Sequence, residues 1–387
     1  AYKVIIRAAN AATAGTTVLI RGGTYNAYNS ATDNDVLWPK HSGIAGNPII
    51  FRPYNSEEVI LGNNPIASYP NDSWASIARG VITLKDVSYI EIEGLKIKQV
   101  AGWIYARNCA NITIKNNIFE DATYDSKGTA RFVECNNNKI IGNKFVKSSF
   151  DSLQLLASNN NLIENNTFIS AEHALLALRC SNYNVVRNNY LTNPWYENGK
   201  AEKLVEIYDC KVDTRTSDNP AYLDPPQYDN TKYNLLENNW FGYHPDYPPE
   251  AGKGSRTSAI QFSGQNTIIR NNIFSNPPLK EPNIYYPEGY AGGVGIIMRW
   301  GGSWDGWQCY SSSAPCRIYG EGHEAGFVHG NRIYNNTFNG YDGGKLIVPT
   351  NDAMSRLPVY APMKNVENYT DYPFSYTWKF EDNIFKN

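Results

Sequence analysis

Nine polar side chains on short apolar segments are the residues of this sequence best suited to chemistry: Asp151, Gln154, His173, Arg179, Glu206, Tyr208, Asp209, Gln261 and Arg299. An arginine beside a histidine or tyrosine is what eliminative cleavage of a uronate requires. The guanidinium neutralises the carboxylate so that its α-proton becomes acidic, and the neighbouring base removes that proton. Arg179 is the candidate for the first task, and His173 or Tyr208 for the second. Hydrolysis would instead need two carboxylates flanking the bond, and Glu206 with Asp209 or Asp151 could supply them. Asp151, Gln154, Gln261 and Arg299 are candidate substrate contacts. Each has a plainer alternative: Arg179 paired with Asp209 at the surface, Glu206 and Tyr208 facing solvent, His173 serving a turn beside Glu172.

A second group is aromatic. Trp300, Trp304 and Trp307 share a Gly-rich stretch, with Tyr285, Tyr286, Tyr290 and Tyr310 close by in sequence. Such rings form either a platform on which sugar rings stack or a satellite apolar cluster. Asp33-Asn34-Asp35 could contribute to a calcium site, but without a full loop of ligands the signal is thin.

What must position these residues is a repeat. The phrase Ile-x-x-Asn-x-Phe occurs at Ile114 to Phe119, Ile140 to Phe145 and Ile163 to Phe168, and as Val186 to Leu191. It returns at Leu236 to Phe241, Ile269 to Phe274, Ile333 to Phe338 and Phe380 to Phe385, with an Asn-free copy at Ile92 to Ile97. Taking the second Asn as the mark, and Gly94 in the first copy, the steps 94→117, 117→143, 143→166 and 166→189 are 23, 26, 23 and 23 residues. Later steps of 50, 33, 64 and 47 residues are one coil plus an insertion each. A solenoid coil of three short strands and three bends needs about this much chain. Ile and Phe then alternate inward and stack on their equivalents one coil away, while Asn tolerates the left-handed bend and can bond to the Asn of the next coil.

The expectation is an all-β, single-stranded right-handed parallel β-helix over residues 1–387, forming one domain. Residues 3 to 14 read as a short helix ended by Gly15 that caps the N-terminal mouth within a 1–15 cap. Insertions fall at 211–232, 276–292 and 300–326, and 351–378 is a C-terminal loop or cap. The insertions frame one lateral face, made by strands 151–156, 173–179, 204–209, 259–263 and 295–299, and that face carries the nine polar candidates.

Composition agrees. Apolar residues make up 42% and charged residues 19%, and 35 basic side chains nearly cancel 37 acidic ones, so the basic excess of a nucleic-acid binder is absent. No stretch reaches the roughly 18 apolar residues of a membrane span. The chain begins without a signal peptide's hydrophobic run, so an export signal would lie outside this sequence. Of the six cysteines, Cys109 and Cys135 both precede their marking Asn by 8 residues and should stack in adjacent coils, as a disulfide or as small buried thiols. Cys180 and Cys210 end matching strands, and Cys309 with Cys316 would close a loop. Three pairs point to an oxidising, extracellular setting and a secreted protein, expected to act as a monomer on a polysaccharide.

The opening segments carry a resemblance. Thr17 to Tyr25, then Ser42 to Phe51, then Val81 to Leu95, in that order, resemble the first coils of the pectate-lyase-like β-helix superfamily, and most of all the branch of chondroitinase B and the alginate lyases. The resemblance implies a lysine base and an arginine on neighbouring coils, often with calcium held by acidic residues. Leu178-Arg179-Cys180-Ser181 matches the arginine's place. The lysine's place falls near Ala157, with no lysine between Ser149 and Ser158, and of the acidic ligands only Asp151 is present. The resemblance thus implies a polysaccharide lyase whose base differs from the family's or whose site lies elsewhere on the groove; a glycoside hydrolase and a non-catalytic sugar-binding β-helix are the alternatives.

Overall fold

The computed structural model describes residues 2–26, 36–62, 80–100, 102–122, 129–192, 203–208, 231–242, 258–262, 266–275, 296–298, 331–339, 347–349, 368–369, 376–377 and 379–386. Among these, the strands form two parallel sheets of 11 strands and a third of nine, plus a two-stranded antiparallel pair. One coil shows the pattern. The chain runs through Leu153–Leu156 in the third sheet, Leu162–Glu164 in the first and Thr167–Ala171 in the second, then re-enters the third at Ala174–Arg179. Every neighbour within these three sheets is the equivalent segment one coil away, so residues far apart in sequence become lateral neighbours. The short helix Ile5–Ala11 precedes the first strand, and Ile5 and Ala9 join the core.

The repeat phrase builds the interior. Phe119, Phe145 and Phe168 stack with centroids 4.8 Å apart at each step, and Phe241, Phe274 and Phe338 continue the column. Each such ring removed from water contributes about 1.5–3 kcal/mol, partly offset by ordering the chain.

The doubled asparagine divides two tasks between its members. The first takes the left-handed bend, with φ of 56° at Asn116, 55° at Asn165 and 58° at Asn188. The second is buried and forms a ladder: Asn143 N–H and Nδ2 both donate to Asn166 Oδ1 (2.9 and 3.1 Å), and Asn166 Nδ2 donates back to Ile140 O at 2.8 Å. The same contacts run from Asn117 to Asn383. This corrects the mark of the first copy. Gly94 (φ 69°) fills the bend, and Leu95 N–H donates to Asn117 Oδ1, so that step is 22 residues rather than 23. A second ladder, Asn138 to Asn161 to Asn184 to Asn234, lies at the bend before the first sheet and was not anticipated.

Cys109 and Cys135 do stack in adjacent coils, as buried thiols rather than a disulfide. Cys109 Sγ donates toward Leu84 O and Arg107 O (3.1 and 3.2 Å), and Cys135 Sγ toward Val133 O (3.2 Å). Burial pushes the Cys135 thiol well above its usual range, while the bond from Cys135 lowers that of Cys109. Cys180 is disulfide-bonded; Cys210, Cys309 and Cys316 lie outside the described residues. Native protein treated with a thiol reagent should therefore keep Cys109 and Cys135 unmodified, both reacting only in denaturant. Peptide mass mapping checks this, and labelling of either under native conditions would mean that these coils open.

Candidate active site

On the third sheet, alternation sends Leu153, Leu155, Leu176, Leu178, Val205 and Ile207 into the core. The residues between them face outward, which settles the phase of the strand Ala174–Arg179 that the sequence left open. Backbone register aligns Gln154, Ala177, Glu206 and Gln261 in one row across adjacent strands, and Leu156, Arg179 and Tyr208 in the next. All five strands expected to form the face are therefore consecutive in this sheet.

Five of the candidates converge. His173 Nδ1 lies 2.7 Å from Asp151 Oδ1, and its Nε2 lies 3.7 Å from Glu206 Oε1, beyond hydrogen-bond reach of that oxygen. Arg179 Nη2 donates to Glu206 Oε2 at 2.7 Å and lies 3.5 Å from Asp151 Oδ2. Gln154 Nε2 donates to Asp151 Oδ2 at 3.0 Å. Ala177, between Gln154 and Glu206 in register, leaves room for the Arg179 side chain to lie across the strand. The Phe150 ring, one coil earlier, stacks flat on the imidazole with centroids 4.5 Å apart.

Burial sorts these groups by task. The side chains of Asp151 and Glu206 are 0% and 2% exposed, whereas those of His173 and Arg179 are 19% and 32% exposed. Two buried carboxylates thus hold an imidazole and a guanidinium at the surface of the sheet. Because an ionised carboxylate only accepts, His173 Nδ1 carries the proton it donates to Asp151, and the basic lone pair falls on Nε2.

Several expectations change. Asp151 and Gln154, expected to touch substrate, are buried, with Asp151 bonded to His173 and Gln154 to Asp151. Glu206 is not a solvated outward residue, and Arg179 pairs with it. The lysine's place, Ala157, is the left-handed bend (φ 48°) after the strand, and its side chain packs beside Tyr105, Val133, Leu156 and Cys180. Tyr208 and Gln261 are described in backbone only; Asp209, Arg299, Trp300, Trp304, Trp307 and the Asp33-Asn34-Asp35 segment lie outside the described residues. A feature the sequence reading missed is the pair Tyr183 and Tyr233, on the bends that follow the site's two strands. Their rings stack at 5.1 Å while remaining 54% and 45% exposed. Their shared place before the repeat phrases Val186 to Leu191 and Leu236 to Phe241 was the available signal. A cleft bounded by Tyr54, Glu57, Glu93 and Lys96 lies at early coils and shares no residue with this cluster.

Asp151, His173 and Glu206 each offer a ligand atom, all within 4.8 Å of one another. The set does not fit calcium. That ion takes about six to eight oxygens, whereas one of these three donors is an imidazole nitrogen and Arg179 Nη2 already sits on both carboxylates.

The chain matches the family described as right handed beta helix region over residues 79–241. It is 33% identical over 118 residues to pectate lyase PEL9 of Emericella nidulans, a match covering 28% of this chain and 27% of that protein. The chain therefore spans about a quarter of that relative's length. The structure of the alginate lyase from Paenibacillus sp. str. FPU-7 aligns over 99% of this chain and 96% of its own, with a TM-score of 0.54 at 11% identity. The A-module of the Azotobacter vinelandii mannuronan C-5 epimerase AlgE4 aligns over 99% and 90%, with a TM-score of 0.50 at 14% identity. At these identities the structural likeness is one of fold. Sequence repeat, sheet topology and these matches agree that the chain is a right-handed parallel β-helix, similar over part of its length to a pectate lyase.

Proposed function

We propose that this protein is a secreted polysaccharide lyase that cleaves a uronate-containing glycan by β-elimination. One observation carries the reading: the groups that reach the surface of the cluster are a base and a cation, His173 and Arg179, while both carboxylates lie beneath them. Arg179 would approach the uronate carboxylate and stabilise the charge that develops as the α-proton leaves. His173 Nε2 would take that proton. The ring carbons then form a double bond, the glycosidic C–O bond breaks, and the leaving oxygen takes up a proton from water or from Tyr208, which registers beside Arg179. The local match to a pectate lyase supports this class of chemistry, and the Cys180 disulfide supports an extracellular setting. A glycoside hydrolase is disfavoured because Asp151 and Glu206 would have to leave Arg179 and reach the surface before flanking any bond.

The test is product chemistry on a panel of uronate glycans. Elimination leaves an unsaturated sugar absorbing in the near ultraviolet; hydrolysis leaves new reducing ends without that absorbance. Reducing ends without absorbance would overturn the lyase reading, and sugar binding without any product would mark a non-catalytic protein.

Tyr183 and Tyr233 offer stacking faces for sugar rings beside the site. Changing both to alanine should raise KM several-fold while kcat holds, since neither ring carries a group assigned to the proton transfer or to charge stabilisation. Steady-state kinetics on the cleaved glycan checks it, and an unchanged KM would leave the pair a structural stack.

A further inference from the structure

We infer that Arg179 is a tethered replacement for a metal ion: its guanidinium neutralises the two carboxylates of a two-carboxylate, one-imidazole set that would otherwise take a divalent cation of the zinc or cobalt kind. Two carboxylates buried in apolar surroundings require a compensating positive charge. Here Asp151 and Glu206 are both within 3.5 Å of the same guanidinium nitrogen, Arg179 Nη2. The possible ligand atoms of Asp151, His173 and Glu206 lie within 4.8 Å of one another, with His173 facing Asp151 Oδ1 and Glu206 Oε1 and the guanidinium facing Oδ2 and Oε2 of the same two acids. Modest side-chain rotation would bring them to the roughly 2.0–2.2 Å bonds of a zinc-type ion, which accepts imidazole and carboxylate together. A divalent ion held by these two acids and the guanidinium that already neutralises them exclude each other through charge repulsion at short range.

The cation can remain in place because it is covalently part of the strand. The register puts Arg179 beyond Ala177 on the strand between Asp151 and Glu206, so its long side chain can lie back over that small residue to reach both acids. The charge that stabilises the site is thus fixed by the fold and independent of metal supply.

The experiment compares chelator-stripped wild type, His173→Ala, Arg179→Ala, Arg179→Ser and Arg179→Ala/His173→Ala, each first confirmed folded by circular dichroism. The probe is Co2+, followed by visible absorption and calorimetry. Wild type should show no His173-dependent Co2+ binding. Arg179→Ala, or Arg179→Ser if the alanine variant does not fold, should bind Co2+ at one site per chain with ligand-field bands. The double variant should lose that site. Wild type binding Co2+ in a manner that His173→Ala removes, or a folded single variant that binds none, would overturn the inference. If neither single variant folds, Arg179→Gln, which keeps a polar side chain over Ala177 but removes the charge, takes their place with the same expected and overturning results. A second arm rests on the proposed lyase reading: wild-type cleavage should survive exhaustive chelation, and loss restored by a divalent ion would count against the inference. A wild type inactive on every glycan would sink only the lyase reading, because the Co2+ arm uses no activity.

Discussion

Asp151→Asn should lower kcat by about 10²–10⁴-fold while leaving the coil intact, although Asp151 is buried beneath His173 and Arg179. The substitution hardly changes shape, so its effect comes from the hydrogen-bond pattern. Asp151 Oδ2 accepts from Gln154 Nε2 at 3.0 Å and faces Arg179 Nη2 at 3.5 Å, both donors. An amide NH2 cannot occupy that side without opposing two donors, so the amide oxygen turns to them and the NH2 turns to His173. His173 Nδ1, 2.7 Å away, must then accept, and its proton moves to Nε2. The imidazole remains stacked on Phe150, with the lone pair on the wrong nitrogen. His173→Ala should fall to a similar floor, and the double variant no further, because the two residues act as a unit. Initial rates of near-ultraviolet product formation measure all three, with urea midpoints to verify folding. An Asp151→Asn enzyme as fast as wild type would remove His173 from the role of base.

The repeat was legible because its signal is redundant. Ile114, Asn117 and Phe119 recur at a fixed step, and each must face its own equivalent, so fold, strand order and the face bearing the site all followed. The site was legible only in membership. His173, Arg179, Glu206 and Asp151 were named, but not which were exposed. Ala174 to Leu178 is apolar at every position, so alternation cannot reveal which residues face out. Which acid Arg179 meets was open in the sequence, where Glu206 and Asp209 are both nearby; among the described residues it meets Glu206. Reach is decided by backbone register, in which Glu206 pairs with Ala177, two residues before Arg179. Phe150 and His173 hold the same place in successive coils, as the repeat arithmetic implies, yet neither fits the Asn/Phe phrase, so the arithmetic was not extended to them. Gly94 was taken for the ladder residue because one glycine replaces an asparagine pair whose members differ in task.

That difference in task yields the largest expected effect on stability. Asn165 and Asn166 are adjacent and identical, yet substitution should separate them by several kcal/mol. Asn166 Oδ1 accepts from Asn143 N–H and Nδ2, and Asn166 Nδ2 donates to Ile140 O and Asn189 Oδ1. Asn166→Ala removes those partners in a place that water does not reach, and each buried group left unsatisfied costs about 1–3 kcal/mol. With at least the Asn143 donors and the Ile140 carbonyl stranded, the loss should be about 3–6 kcal/mol, and a cavity adds to it. Asn165 makes its contribution through φ of 55°, a conformation glycine adopts without strain. Gly94 and Gly142 already hold the equivalent bend at φ of 69° and 67°. Asn165→Gly should therefore change stability by no more than about 1 kcal/mol, whereas Asn165→Val, whose branched side chain opposes the left-handed bend, should cost more. Urea unfolding of the three variants gives the comparison. The coil interior also predicts where tolerance begins: Leu95 already occupies the slot that Asn117 would bond, donating only its backbone N–H, so the ladder needs no amide at its head. Equal midpoints for Asn166→Ala and Asn165→Gly would mean that the column is ornamental and that apolar stacking alone holds the coils in register.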